Sequence, residues 1–254
     1  MGKKKGFTLI ELLVVISIIA LLVSILMPAL SKARHLGKNV VCMSNMKQWG
    51  AVFALYCEDN DGRLFSAWKS SGEGHVWLSF AEKYWDTEEI LLCPEWNGRT
   101  QIQNADFGSR SAWGVFPDAD VRLGYANRKG CYGANSWVGR LDRGLPKNTV
   151  KSDYWQYMGV KGGNRVPLFM DARWPGGRVR DTDLPEDPLG NYQGSNAMQR
   201  YAVNRHYGHI NATFLDYSVR SVGLKDMWKL KWNGNFNVHA YKDITAWPEW
   251  MNKL

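Results

Sequence analysis

Lys3-Lys4-Lys5-Gly6-Phe7-Thr8-Leu9-Ile10-Glu11 runs without a break into an apolar stretch that ends near Leu30. Phe7 to Leu30 is long enough for a membrane-crossing helix, which needs roughly 20 apolar residues, and Glu11 is its only ionisable side chain. A carboxylate inside such a segment is costly and marks a function. A secretory signal peptide fits less well. The apolar run is too long for an h-region, Glu11 falls inside it, and no A-x-A site stands around Met27-Pro28-Ala29-Leu30-Ser31. Lys3, Lys4 and Lys5 hold the leader in the cytoplasm by the positive-inside rule, and no later segment is apolar enough to cross back. Residues beyond Leu30 are therefore expected outside the cytoplasm.

Gly6-Phe7-Thr8-Leu9-Ile10-Glu11 resembles the processing site of type IV prepilins and type II secretion pseudopilins. The resemblance implies a membrane peptidase that cuts after Gly6, N-methylation of Phe7, and a role for Glu11 in assembly with other pilin or pseudopilin subunits. It also implies a pilin-like α+β fold, with a long N-terminal helix packed on a mainly antiparallel, loop-rich β head.

Periodicity agrees. Beyond the apolar run, Ala33, Leu36, Val40, Met43, Met46, Gly50 and Phe53 recur every three or four residues between charged and polar positions, an amphipathic helical pattern. One helix is expected over 7–58, with 7–30 in the membrane, a leader at 1–6 and an extracytoplasmic head at 59–254. At 1.5 Å per residue such a helix reaches roughly 75 Å. Asn60-Asp61-Gly62 supplies its stop. Pro28 cannot donate to the Ser24 carbonyl, so a kink or unwound turn is expected there, with the Ser24 hydroxyl as a substitute partner. Pilins often carry such a proline, and the resemblance implies a helix that stretches during assembly.

The head reads as short strands and loops, with a short helix at Trp77 to Tyr84. Val166-Pro167-Leu168-Phe169-Met170 and Ile210 to Leu215 are strand candidates, the second turning at Asp216-Tyr217-Ser218 into Val219 to Val222. Composition, with 45% hydrophobic and 22% charged residues among 254, describes one globular domain plus an appendage. The formal net charge of +8 is spread along the chain without a nucleic-acid motif, so it reads as solvated surface, with no nucleic acid as partner. The 13 tryptophans either fill the core, each burying on the order of 200 Å², or form a platform for glycans or another partner.

A second resemblance, to prepilin-type processing-associated proteins with a histidine, nine-residue, aspartate-glycine motif, rests on several segments. They are Val41 to Gln48, the Asp59-Asn60-Asp61-Gly62 exit, Leu92-Cys93-Pro94, Tyr132-Gly133-Ala134-Asn135 and the terminal hairpin. His206 and Asp216 have the motif's spacing, but Tyr217 replaces its glycine, which would permit a turn with positive φ. An extended segment would hold His206 and Asp216 about 30 Å apart unless the chain bends between them, so a structural hydrogen-bonding role is expected for each, with metal binding or catalysis as the alternatives. His206 and His209 lack enough ligands nearby in sequence to specify zinc, and no metal or cofactor is expected. Asp59-Asn60-Asp61-Gly62 fails the calcium-loop register, with Cys57 and Trp68 where carboxylates belong.

Four cysteines in an extracytoplasmic chain allow disulfides. Cys42 and Cys57 on one helix would stand about 22 Å apart, too far to bridge. Cys42 with Cys93 and Cys57 with Cys131 remain, as does the crossed pairing; a bridge from spine to head is expected at Cys42 and Cys93, with buried free thiols packed as small core residues the alternative. No nucleophile–base pair, metal cluster or phosphate loop marks an enzyme. The reading is a single-pass inner-membrane precursor that polymerises into a filament; the competing one is a membrane-anchored, tryptophan-rich binding protein.

Overall fold

Thr8 is the N-cap of the spine helix. Its hydroxyl accepts the Glu11 N–H at 3.3 Å, while the Glu11 carboxylate accepts the Thr8 N–H at 2.9 Å and the Thr8 hydroxyl at 2.8 Å, a reciprocal capping box. From there α1 runs Leu9–Glu58 in this computed structural model, which describes residues 8–65, 77–96, 113, 129–141, 145, 148–185 and 196–252.

The helix continues through Pro28 without an unwound turn, which corrects that part of the expectation. The Ser24 hydroxyl donates to the Leu21 carbonyl at 2.7 Å rather than substituting at the proline. At the far end Gly62 (φ 72°) donates to Cys57 O at 2.8 Å and closes the helix, with Asp61 also at positive φ.

The apolar half of α1 is exposed from Leu9 to Leu30, and by length and composition it is the one described helix that could cross a membrane. Its second half packs on the head with Met46, Gly50 and Phe53 buried as expected, but the buried face also takes in positions beside that stripe. Cys42, Asn45, Met46, Trp49, Val52, Phe53 and Tyr56 are buried, whereas Leu36 and Val40 stay exposed. The ring of Trp49 decides this orientation. It lies 4.9 Å from Trp77 and 5.3 Å from Phe169, and its indole N–H donates to Ile90 O at 2.8 Å.

Among the described residues the head holds a five-stranded sheet in the order β3-β1-β2-β4-β5. The strands are β1 Tyr132–Asn135, β2 Pro167–Asp171, β3 Gly176–Gly177, β4 His209–Phe214 and β5 Val219–Gly223. All pairings are antiparallel except β1 with β3. Trp77–Ala81 forms the short helix α2, and Glu249–Asn252 forms α3.

Strand alternation explains how α1 sits on the sheet. Ile210, Ala212 and Phe214 of β4 point into a core with Tyr201, Met227 and Trp232. Asn211 and Thr213 point the other way and bond to the helix, Asn211 to Asn39 at 2.7 Å and Thr213 to Met46 O at 2.9 Å. Where they meet, a β-carbon on Gly50 would stand 3.2 Å from Thr213 Cγ2. No described tryptophan is exposed, so these rings fill the two cores; Trp68 lies outside the described residues.

Candidate functional site

Four side chains from distant parts of the sequence converge beneath α1. Cys42 comes from the helix, which Asn211 and Thr213 dock against β4. Cys93 is held against the same helix by its neighbours: Asn45 donates to Leu92 O at 3.1 Å, Trp49 to Ile90 O, and His35 Nδ1 meets the buried Glu95 carboxylate at 2.7 Å. Asp171 ends β2, and its Oδ2 accepts the Asn211 N–H of neighbouring β4 at 2.7 Å. His206 lies three residues before β4, beside Arg205. Each of the four is buried, with His206 the most open at 7% exposure.

The distances are short and mutual. Cys93 Sγ stands 3.4 Å from His206 Nε2, and the same Nε2 stands 3.4 Å from Asp171 Oδ2. Cys42 Sγ lies 3.8 and 3.9 Å from the two Asp171 oxygens, and the Tyr132 hydroxyl donates to that sulfur at 3.4 Å. One ligating atom from each residue falls within 4.8 Å of every other. Arg205 joins the cluster at its edge, with its guanidinium 3.4 Å from Asp171 Oδ1 and 2.8 Å from Ala172 O.

Electrostatics follow from burial and these contacts. Burial pushes the Cys42 thiol well up. It pushes Cys93 the same way, but hydrogen bonds with Cys42 and His206 and the Arg205 charge outweigh it and bring Cys93 down. Burial likewise opposes the charge on Asp171, and His206, Arg205 and the Asn211 N–H overcome it, so the carboxyl is lowered. Burial lowers His206, while Asp171 and Cys93 raise it further, to about 10. Burial pushes Cys57 up to about 11, and it pushes Cys131 up to about 12 against the opposing charge of Arg205.

His206 offers a single nitrogen to both Cys93 and Asp171. A nucleophile–base–orienter relay needs opposite ring nitrogens for its two partners, so the geometry is that of donor atoms gathered around a point. Beside the cluster, a groove of about 760 Å³ opens where α1 leaves its apolar half, lined by Pro28, Lys32, His35, His206, Tyr207 and His209 among others.

The residues singled out from the sequence scatter over the molecule. Gly6 and Phe7 lie outside the described residues, Glu11 is exposed in the first helical turn, and Pro28 borders the groove. All four cysteines are free thiols in this structure, and Cys42 and Cys93, expected to bridge, meet as thiols beside Asp171 and His206. His206 therefore does have ligating neighbours, which local sequence did not show. Asp216 is not among them. It sits at the β4–β5 turn, accepting from the Ser218 N–H and hydroxyl at 3.1 and 2.6 Å. Tyr217 adopts the positive φ, 61°, that a glycine would favour there.

Asp171 and Arg205 went unremarked as site residues. Asp171 follows an apolar strand and carries no local signal. The Thr8–Glu11 capping box was legible, as a threonine three residues before a glutamate ahead of an apolar run.

Residues 1–27 match the family model of the prokaryotic N-terminal methylation motif, the prepilin-type cleavage and methylation signal. Comparison with curated proteins and with solved structures finds no match.

Proposed function

We propose, from the premise that the chain opens with a prepilin-type cleavage and methylation signal, that it is a pilin- or pseudopilin-type precursor whose mature form assembles into a filament. A prepilin peptidase cuts between Gly6 and Phe7, and the new Phe7 amine is methylated. The leader faces the cytoplasm and the head lies outside it, with α1 as the single membrane pass. The filament is of the type II secretion pseudopilus or type IV pilus kind.

The observation that carries this reading is the pairing of the signal with a helix whose first half buries nothing on its own head. Leu9 to Leu30 needs lipid before assembly and neighbouring subunits after it. The role is structural: a closed polar cluster and a histidine that shows one nitrogen to two partners favour it over catalysis. The competing reading, a tryptophan-rich binding head, has no exposed tryptophan among the described residues to support it.

Intact-mass spectrometry of protein from cells with an active prepilin peptidase tests the proposal, together with recovery of the chain in sheared filaments. The expected mass is that of a chain beginning at a methylated Phe7. A chain that begins near Ser31, or that keeps Met1 to Gly6, overturns it.

A further inference from the structure

We propose that Cys42, Cys93, Asp171 and His206 form a tetrahedral Zn²⁺ site that fastens the spine helix to the sheet. With Zn–S about 2.3 Å and Zn–N or Zn–O about 2.0–2.2 Å, tetrahedral coordination sets neighbouring donor atoms about 3.3–3.8 Å apart. Taken through Asp171 Oδ2, the 3.4 Å sulfur–nitrogen, 3.4 Å nitrogen–oxygen and 3.9 Å sulfur–oxygen separations lie at or close to those edges, and all four donors fall within 4.8 Å of one another. Two soft sulfurs, an imidazole and a carboxylate suit zinc better than magnesium or calcium, which take oxygen ligands.

Charge and surroundings fit as well. Zn²⁺ held by two thiolates and one carboxylate leaves one negative charge, and the fully buried Arg205 guanidinium beside Asp171 neutralises it. The Tyr132 hydroxyl donates to the Cys42 sulfur, and the Asn211 N–H to Asp171, so the ligands are oriented from outside the coordination sphere. Four protein ligands, three of them fully buried and His206 nearly so, describe a closed structural site. Binding releases the thiol protons of Cys42 and Cys93 and any proton on His206 Nε2 to solvent.

The site joins α1 to the 93 loop, β2 and the segment before β4, positions with no covalent link in this structure. It stands apart from the N-terminal signal and does not depend on filament assembly.

The test uses the full chain, purified in detergent without chelators or a histidine tag. Metal analysis is expected to find close to one zinc per chain. Cys42→Ser, Cys93→Ser and His206→Ala should each bring it near zero, while Cys57→Ser, outside the cluster, keeps it. Because a buried substitution can also unfold the head, the wild-type chain is stripped of metal and titrated with Co²⁺ alone. Thiolate-to-cobalt charge-transfer bands and intense tetrahedral d–d bands are expected to saturate at one equivalent. A Cys42–Cys93 disulfide in non-reducing peptide maps overturns the site. So does a metal-free chain with reduced thiols that gives only the weak spectrum of hydrated cobalt.

Discussion

Glu11 carries two duties that one substitution can separate. Its carboxylate completes the capping box with Thr8, and the filament reading gives it a second partner, the Phe7 amine of a neighbouring subunit. Glu11→Gln keeps an acceptor for the Thr8 N–H but removes the charge. The variant is expected to insert and be cleaved like wild type yet enter sheared filaments poorly; wild-type incorporation would leave Glu11 as a helix cap only. Asp183 offers a second test at this scale. Burial pushes its carboxyl up from 3.8 to about 6, although its Oδ2 accepts backbone N–H groups of Arg180, Ala197 and Met198. The folded state thus holds the proton more tightly than the unfolded chain. Its contribution to stability is complete below pH 3.8, falls as pH rises to about 6 and is gone above that. Asp183→Asn retains an acceptor and removes the titration, so this part of the stability lost between pH 4 and 7, about 2–3 kcal/mol, should vanish from the melting-temperature profile. Parallel pH profiles for the two proteins would refute it.

At the scale of elements, the approach of backbone to backbone sets the tightest limits. In β1 a β-carbon on Gly133 would run into the Trp174 carbonyl and crowd the Ala172 β-carbon at 2.9 Å. That closeness lets β3 pair with β1 while Trp77 donates to Pro175 O at 2.7 Å from the helical side. Gly133→Ala is therefore expected to destabilise the head by about 1–3 kcal/mol or more, as overpacking does, read as a lower denaturation midpoint in detergent. The β4–β5 hairpin shows the opposite tolerance. Tyr217 accepts a left-handed backbone, and Lys47 of α1 donates to its carbonyl at 3.1 Å, tying the turn to the spine. The glycine missing from the motif is thus a matter of turn packing, and His206 and Asp216 share no site.

For the whole molecule, the aromatic rings fill two cores, one between α1 and the sheet and one on the sheet's far face. Trp49, Trp77, Trp113 and Trp232 are fully buried, and Trp228 and Trp137 nearly so. Tryptophan emission of the folded chain is expected to be blue and largely protected from acrylamide, shifting red on denaturation. A red, readily quenched spectrum in the native protein would restore the binding-platform reading. The molecule is thereby divided by purpose: an exposed apolar half-helix that must find lipid or other subunits, and a head that packs most of its described aromatics inside.

Much of this was legible locally. The membrane-length segment, its processing signal, the spine helix ending near Glu58, the short helix at Trp77 and the hairpin strands around Asp216 all follow from runs, periods and turn residues that lie side by side in the chain. Such features depend on contacts a few residues apart, so sequence alone determined them. Which face of α1 turns inward was decided by tertiary packing, because Trp49 had to fit among Trp77, Trp85 and Phe169 while Leu36 and Val40 met nothing on the head. The cluster of Cys42, Cys93, Asp171 and His206 was hidden for the same reason. Its members lie on a helix, a loop, a strand end and a pre-strand segment, and no spacing rule joins them. Only the docking of α1 across β2 and β4 brings those four donors to one buried point, where burial and mutual charge give them a chemistry that none has alone.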